Sequence, residues 1–136
     1  MKKVYVRGSS EMFGQTHYMT IPKTSLGVYN AHTKTAYIFL DEISKYARDA
    51  WIITSRKEFN GHKGLQRYYI RIRKLIEYHE YGHHLQHMKQ ILGNSRLKEH
   101  NEHVADRYAR LRYFKDYRRT TGFQFDRRPM FHKDGV

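Results

Sequence analysis

The sequence predicts an α+β domain in which a small antiparallel sheet precedes three helices. Residues 1–40 contain short runs of alternating apolar side chains separated by polar turns. After Asp41 the apolar side chains instead recur every three or four residues, which is the period of a helix. The chain has 136 residues, enough for one hydrophobic core but not for two. We therefore expect a single domain over residues 1–136, with an irregular tail over about 120–136.

The predicted strands lie near the start of the chain. The segment "KKVYVRG" alternates enough to form a first strand. Residues 26–40, "LGVYNAHTKTAYIFL", read as two short strands joined by the polar turn "NAHTK". We expect these two strands to form an antiparallel hairpin.

Three helices are predicted after the hairpin. The first spans about 42–57, with an acidic first turn and a break at "NGHKG". The second spans about 65–92, where "GNS" at 93–95 supplies a glycine to end it and a polar residue to cap the next helix. The third spans about 96–117. This order of strands and helices is that of an α+β domain.

Composition limits the chemistry that this chain can perform. It has no cysteine, which excludes disulfides, a cysteine nucleophile and thiolate zinc sites. The formal net charge is +13, which favours polyanionic partners. The start of the chain lacks the apolar run of a signal peptide, and no later run is long enough to span a membrane. We therefore expect a cytoplasmic protein without a membrane partner.

The second predicted helix contains the HExxH pattern, formed by His79, Glu80 and His83. Side chains four apart on a helix lie about 5 to 6 Å from each other, so two imidazoles can bind one metal ion. Glu80 follows the first histidine and can act as a general base on a water molecule. This arrangement is typical of a metal-dependent hydrolase. The other histidines of this region, His84, His87, His100 and His103, are expected to face solvent.

A third ligand is needed to complete such a site. His87 lies about 12 Å from His79 along the helix axis, too far to share an ion. The metzincin pattern is excluded because Gln86 and Lys89 stand where glycine and histidine would be required.

Glu102 is the better candidate, because the third helix turns back and carries it beside the histidine pair. Asp106 lies one turn further and can accept a hydrogen bond from a ligating histidine. Gly82 and Ala105 are small enough to let the two helices approach closely.

HExxH followed by the "NEHVAD" segment resembles the gluzincin metallopeptidases, the thermolysin-like class with an HExxH…NExxxD signature. "EHVADRYA" also resembles the third-ligand helix of the small ImmA/IrrE-like zincins. The resemblance covers residues 79–109 closely and residues 26–40 by layout. It implies a minimal zincin domain, in which the edge strand of a hairpin aligns the substrate. By this resemblance one Zn²⁺ is held by His79, His83 and Glu102, with Glu80 as general base and Asp106 as the partner of a ligand.

One expected part is not assigned by the sequence. Larger thermolysin-like enzymes use an additional tyrosine or histidine to stabilise the oxyanion, from a segment that this chain lacks. Five residues could substitute, and the sequence does not choose among Tyr29, His32, Tyr37, His62 and His132.

Basic side chains recur at helical spacing on the second and third helices. A charge run is usually a solvated face, but the excess of positive charge also permits contact with phosphate or with an acidic substrate. The candidate nucleic-acid-binding residues are Arg67, Arg71, Lys74, Arg107, Arg110 and Lys115. Arg112, Arg118 and Arg119 add further charge to the third helix. Similar zincins of the SprT-like type act on DNA-associated proteins, although their third ligand is histidine.

Three functions compete at this point. The first is a zinc metallopeptidase acting on a protein or peptide substrate. The second is a basic nucleic-acid-binding protein with a structural metal site, or a protease acting on nucleic-acid-associated proteins. The third is a protease-like domain that regulates another protein. The carboxylate beside the first histidine favours the peptidase, because a purely structural metal site has no use for it.

Overall fold

A computed structural model of the protein describes residues 1–7, 25–54, 61–91 and 98–118. Within these ranges it contains three strands and three helices. The strands are β1 (Lys2–Val6), β2 (Gly27–Asn30) and β3 (Thr35–Phe39), and the helices are α1 (Leu40–Thr54), α2 (Gly61–His87) and α3 (Lys98–Tyr117). The α+β class predicted from the sequence is confirmed. None of the described helices is both long and apolar enough to cross a membrane.

The sheet is mixed, with β3 in the middle of the order β1-β3-β2. β2 and β3 form the predicted antiparallel hairpin. Its turn is closed by Asn30, whose Oδ1 accepts hydrogen bonds from the backbone N–H groups of His32 (2.9 Å) and Thr33 (3.4 Å). β1 lies parallel to β3, so the sheet is mixed, whereas the sequence predicted an antiparallel sheet. The alternation of side chains is the same for both directions and does not encode this choice.

The core lies between the sheet and the helices, with α2 at its centre. α2 packs against α1, α3, β2 and β3, and every residue from Leu75 to Glu80 is buried. The buried apolar cluster includes Leu26, Ala36, Ile38, Ile43, Ala47, Ile72, Leu75, Ile76 and Ala109. A helix surrounded in this way must place any polar side chain of its middle turns in a protein environment.

One such polar side chain, Glu77, joins α2 to β1. The residue is only 5% exposed, and its carboxylate accepts a hydrogen bond from the Tyr5 hydroxyl at 3.1 Å. Lys3 Nζ lies 3.3 Å from one carboxylate oxygen, and Arg73 Nε lies 3.6 Å from the other. Buried carboxylates are tolerated when they are paired in this way. These contacts fix the position of the first strand on the helix that carries the HExxH pattern.

α2 ends at His87, earlier than the predicted end at Leu92. The end is a Schellman motif, in which Gln90 N donates to Leu85 O at 2.8 Å and Lys89 N donates to Gln86 O at 3.0 Å. Lys89 takes the left-handed conformation, with φ of 59°. The predicted end was wrong because it assumed that the left-handed residue after the helix would be a glycine, Gly93, whereas Lys89 takes that conformation. The segment 93–95 itself lies outside the described residues.

α2 begins at Gly61, within the "NGHKG" segment predicted as a break and four residues before the predicted start at 65. The remaining helix ends differ little from the prediction. α1 begins at Leu40 rather than 42, and residues 55–57 of the predicted helix lie outside the described part. α3 ends at Tyr117 as predicted, with Arg118 in the left-handed conformation and its N–H donating to Phe114 O at 2.7 Å. The predicted start at 96–97 and the tail at 120–136 also lie outside the described part.

Candidate metal centre

α2 and α3 approach each other closely at Gly82. A Cβ atom at this position would lie 3.2 Å from Ala105 Cα and 3.3 Å from both Ala105 Cβ and Tyr108 Cδ1. These separations are shorter than ordinary van der Waals contact. The absence of a side chain on Gly82 and the small side chain of Ala105 therefore set the distance between the two helices. This is the distance that allows side chains of both helices to reach one point.

Three metal-ligating atoms from the two helices converge beside this contact. Nε2 of His83 lies 2.5 Å from Oε2 of Glu102, and Nε2 of His79 lies 3.1 Å from the same oxygen. The two Nε2 atoms are 3.1 Å apart. Ligands at about 2.0 to 2.1 Å from a tetrahedral metal ion are roughly 3.3 Å from each other. The structure therefore brings together the three side chains that the sequence selected, at nearly the spacing that one ion requires.

Asp106 fixes the protonation of the His79 ring. Its Oδ1 lies 2.6 Å from Nδ1 of His79, and both side chains are almost fully buried. The ring N–H is not collinear with the oxygen, but at this distance the two atoms must share a proton, because two lone pairs would repel each other. We therefore assign the proton to the Nδ1 side of the ring. The Nε2 atom, which faces Glu102, is left with its lone pair.

Gln86 fixes the His83 ring in the same way. Gln86 Nε2 donates to the backbone oxygen of Asn101 at 2.8 Å, which turns Gln86 Oε1 toward His83. That oxygen lies 2.9 Å from Nδ1 of His83 and can only accept a hydrogen bond. The His83 ring is therefore protonated on Nδ1. The sequence analysis did not assign Gln86 a role, although its position three residues after His83 on one helix was a usable signal.

The resulting arrangement is electrostatically incomplete without a cation. Two imidazole lone pairs and one carboxylate oxygen point at each other across about 3 Å. Without a metal ion, protons take its place. Burial lowers the pKa of His79 and of His83, but the Glu102 carboxylate outweighs it and raises both above the ordinary value, that of His79 strongly. Burial likewise raises the pKa of Glu102, and the two histidines hold it far below its usual range.

Glu80 occupies the side of the site that faces the sheet. Burial raises the pKa of its carboxyl, and the residue is 3% exposed. His79, Glu80 and His83 form a group whose ligand atoms all lie within 4.8 Å of one another, so this group could hold a metal ion. The Nε2 atoms of the two rings also contact Glu102, at 3.1 Å from His79 and 2.5 Å from His83. Glu102 and Glu80 thus both lie within reach of an ion bound by the two histidines.

The edge strand β2 lies directly against Glu80. A Cβ atom on Gly27 would lie 2.9 Å from Ile76 Cγ2 and 3.1 Å from Glu80 Oε2. No larger side chain fits at Gly27 unless the strand moves away from α2. Within the described part of the chain, β2 pairs with β3 alone. Its other edge is therefore unpaired within that part, and its Gly27 lies against the Glu80 carboxylate.

Tyr29 follows on the same face of β2 and contacts the next turn of α2. Its hydroxyl lies 2.7 Å from Nδ1 of His84. Burial lowers the pKa of His84, so the neutral ring accepts this hydrogen bond. His84 is therefore half-buried and hydrogen-bonded, whereas the sequence analysis expected it to face solvent.

The remaining histidines and tyrosines named from the sequence are distributed as follows. His87, His100 and His103 are exposed. Among the candidates for oxyanion stabilisation, Tyr37 packs with Val4 and Val28 on the opposite face of the sheet. His32 lies exposed in the hairpin turn. The side chain of His62 and the whole of His132 lie outside the described part.

The predicted basic residues are only partly available to a partner. Arg67, Arg107 and Lys115 are exposed, whereas Arg71, Lys74 and Arg110 are half-buried. Lys74 Nζ lies 3.9 Å from Glu77 and 5.3 Å from the centre of the Tyr78 ring. Arg112 also packs within the protein, with its guanidinium 4.6 Å from the Tyr78 ring centre and Nη1 donating to the Tyr108 hydroxyl at 2.9 Å.

The chain matches none of the protein-family models, curated proteins or solved structures with which it was compared. The chemistry of the site therefore rests on the geometry of these residues.

Proposed function

We propose that the protein is a zinc metallopeptidase of the gluzincin type, with His79, His83 and Glu102 as the ligands of one Zn²⁺. The observation that carries this proposal is the convergence of the Nε2 atoms of two histidines and one carboxylate oxygen from two helices. Two histidines and a glutamate are a ligand set of catalytic zinc sites, which keep a fourth position open for water or substrate. A structural zinc site would close all four positions with protein ligands.

Glu80 has the position and the environment of a general base. When bound, Zn²⁺ lowers the pKa of water toward neutrality and polarises a substrate carbonyl. Glu80 accepts the proton of the attacking water, and its raised pKa brings it closer to the neutral range in which such a transfer is efficient. It then returns the proton to the amide nitrogen as the carbon–nitrogen bond breaks. One carboxyl thus serves both halves of the hydrolysis.

The edge of β2 supports a peptide as the substrate. An extended peptide can add to an exposed strand through backbone hydrogen bonds. Gly27 keeps this strand within contact distance of Glu80, so a peptide bound along the edge passes the site. The mode of binding depends on the backbone of the substrate and suits a protein or peptide better than a small molecule.

The first test separates metal binding from hydrolysis. Purified protein should contain about one zinc per chain by elemental mass spectrometry, and should cleave a quenched fluorescent peptide library. Glu80→Gln should keep the zinc and lower the cleavage rate by at least about 100-fold. Glu42→Gln on α1 is the matched control and should change neither. Cleavage unaffected by Glu80→Gln would contradict the assigned base.

The second test concerns the ligands. His79→Ala and Glu102→Ala should each lose the zinc, whereas His87→Ala and His103→Ala should retain it, because these two histidines are exposed on the same two helices. Retention of zinc by Glu102→Ala would refute the ligand set. Zinc bound with the predicted ligands, without cleavage of any peptide in the library, would instead favour the structural or regulatory alternatives.

A further inference from the structure

α3 presents one exposed stripe of side chains away from the metal centre. The first four members follow each other at helical spacings of four, four and three, so they lie on one face of α3, and the fifth directly follows the end of the helix. They are His103, Arg107, Leu111, Phe114 and Arg118, all exposed. Leu111 is 60% exposed and Phe114 is 46% exposed, although both are large apolar side chains. A charged helix face that only contacts solvent has no need of two large exposed apolar side chains between its arginines.

The carboxylates of α3 whose side chains are described are all turned away from this stripe. Glu102 and Asp106 contact the two histidines of the metal centre. Asp116 accepts a hydrogen bond from the Tyr78 hydroxyl at 2.5 Å and lies 3.6 Å from Arg112 Nε. The cations remain outside: Lys115 is exposed beside the stripe and Arg110 is half-buried on its other flank. Among the described side chains, this face of α3 is therefore cationic and apolar without a compensating acid.

α1 differs from α3 in the signs of its exposed charges. The exposed side of α1 mixes signs, with Asp41 and Asp49 next to Lys45 and Arg48. The two helices are similar in length but differ in this respect. α1 therefore provides an internal comparison for any effect of charge on α3.

We propose that the α3 stripe binds single-stranded nucleic acid. The stripe and its flanks carry four cations, Arg107, Arg110, Lys115 and Arg118. Three of them are arginines, whose planar guanidinium both pairs with phosphate and stacks on bases. Phe114 offers a face on which an unpaired base can stack. A duplex keeps its bases stacked internally and cannot use this face. The proposal concerns a surface separate from the metal centre and does not depend on peptidase activity.

Binding to a fluorescent oligothymidine, measured by anisotropy at two salt concentrations, tests the electrostatic part. Four phosphate contacts predict that raising the salt about fourfold weakens binding by about 50-fold. Removing two contacts with Arg107→Gln and Arg118→Gln together should reduce this factor to about 7-fold. The same two charges removed from α1, with Lys45→Gln and Arg48→Gln, should leave it unchanged. Circular dichroism checks that all variants fold.

Phe114→Ala tests the stacking part. It should weaken oligothymidine binding by about tenfold and leave its salt dependence unchanged, because no charge is lost. The affinity for a duplex of equal length should be lower and insensitive to this substitution. Equal affinity for the oligothymidine, the duplex and polyglutamate, with no effect of Phe114→Ala, would show general attraction to polyanions and overturn the proposal. Absence of oligothymidine binding at low salt would overturn it as well.

Discussion

Asp106 and Gln86 determine which nitrogen of each histidine faces Glu102. A ring whose Nδ1 carries the proton presents the Nε2 lone pair to the site, and this is the form that binds a metal. Both residues are at most 3% exposed, so water competes little for these contacts. Asp106 and Gln86, which set the protonated nitrogen of each ring, therefore belong to the site together with the histidines.

Replacing Asp106 should weaken zinc binding without removing a ligand. Asp106→Asn keeps the shape but loses the charge that holds the His79 proton, and we expect the zinc affinity to fall by about 10- to 100-fold. A competition titration with a chromophoric chelator measures this. Asp41→Asn, an exposed carboxylate on α1, is the control. An unchanged affinity in Asp106→Ala, where even the shape is lost, would contradict this role.

Gly82 should tolerate alanine but no larger side chain. Alanine gains about 1 kcal/mol of helix propensity there but crowds Ala105, so Gly82→Ala should change the free energy of unfolding little. Gly82→Val loses that gain and adds volume, and should destabilise by about 2 to 3 kcal/mol. Urea denaturation of the metal-free protein measures both. A valine variant as stable as the alanine variant would show that the helices do not limit each other at this point.

Sequence reasoning could select the three converging donors but not their neighbours on β2. The rise per residue of a helix relates His79 to His83, and the return of α3 relates both to Glu102, so local geometry was sufficient. The contact of Tyr29 with His84 depends on how the hairpin lies across α2. That is a tertiary contact between distant residues, and no periodicity within either segment reports it.

At the scale of the elements, α2 combines the central core helix with the metal centre. Both of its ends lie earlier than predicted, at Gly61 rather than 65 and at His87 rather than 92, because helix ends depend on backbone geometry that residue preferences only suggest. Lys89 takes a conformation in which glycine is usual, and it does so because the Schellman hydrogen bonds over-determine the turn.

Lys89→Gly should therefore stabilise the protein. A residue with a Cβ atom at this φ costs roughly 1 kcal/mol, which glycine avoids, while the greater freedom of glycine in the unfolded chain returns part of the gain. We expect a net increase of about 0.5 kcal/mol in the free energy of unfolding. Lys89→Ala, which keeps the Cβ atom and removes the charge, should show no such increase. Equal effects of the two substitutions would assign the gain to charge rather than to conformation.

At the scale of the whole molecule, the change of period near residue 40 was sufficient to predict the α+β class. The direction of β1 was not predictable, because parallel and antiparallel strands alternate alike. The contacts of Glu77 with Lys3 and Tyr5 locate that strand on α2. They join residues 74 and 72 positions apart in the chain, and the sequence contains no local signal for them.

The metal-free and zinc-bound proteins should respond oppositely to pH. In metal-free protein the raised pKa values of His79 and His83 give stability that is complete below about pH 6.5 and is lost as the pH rises through the folded values. The lowered pKa of Glu102 gives stability that is present above about pH 4.5 and lost only in stronger acid. The raised pKa of Glu80 adds a cost once the pH exceeds its ordinary range.

With a chelator present, the melting temperature should therefore fall between about pH 6 and about pH 8. With zinc present it should rise over the same interval, because the ion replaces protons on the histidines and binds better as they are released. Differential scanning fluorimetry under the two conditions measures both trends. Parallel trends with and without zinc would show that the histidines do not exchange protons for metal.

The position of β2 at an edge of the sheet has a consequence for the protein in concentrated solution. A strand edge that accepts a peptide also accepts a strand from another molecule of the same kind, because backbone hydrogen bonding does not distinguish the source. Such pairing would cover the approach to Glu80, so the protein would become its own competitive inhibitor as its concentration rises. If the proposed peptidase activity is present, activity per molecule would then fall on concentration and recover on dilution. A short extended peptide would both inhibit that activity and keep the protein monomeric.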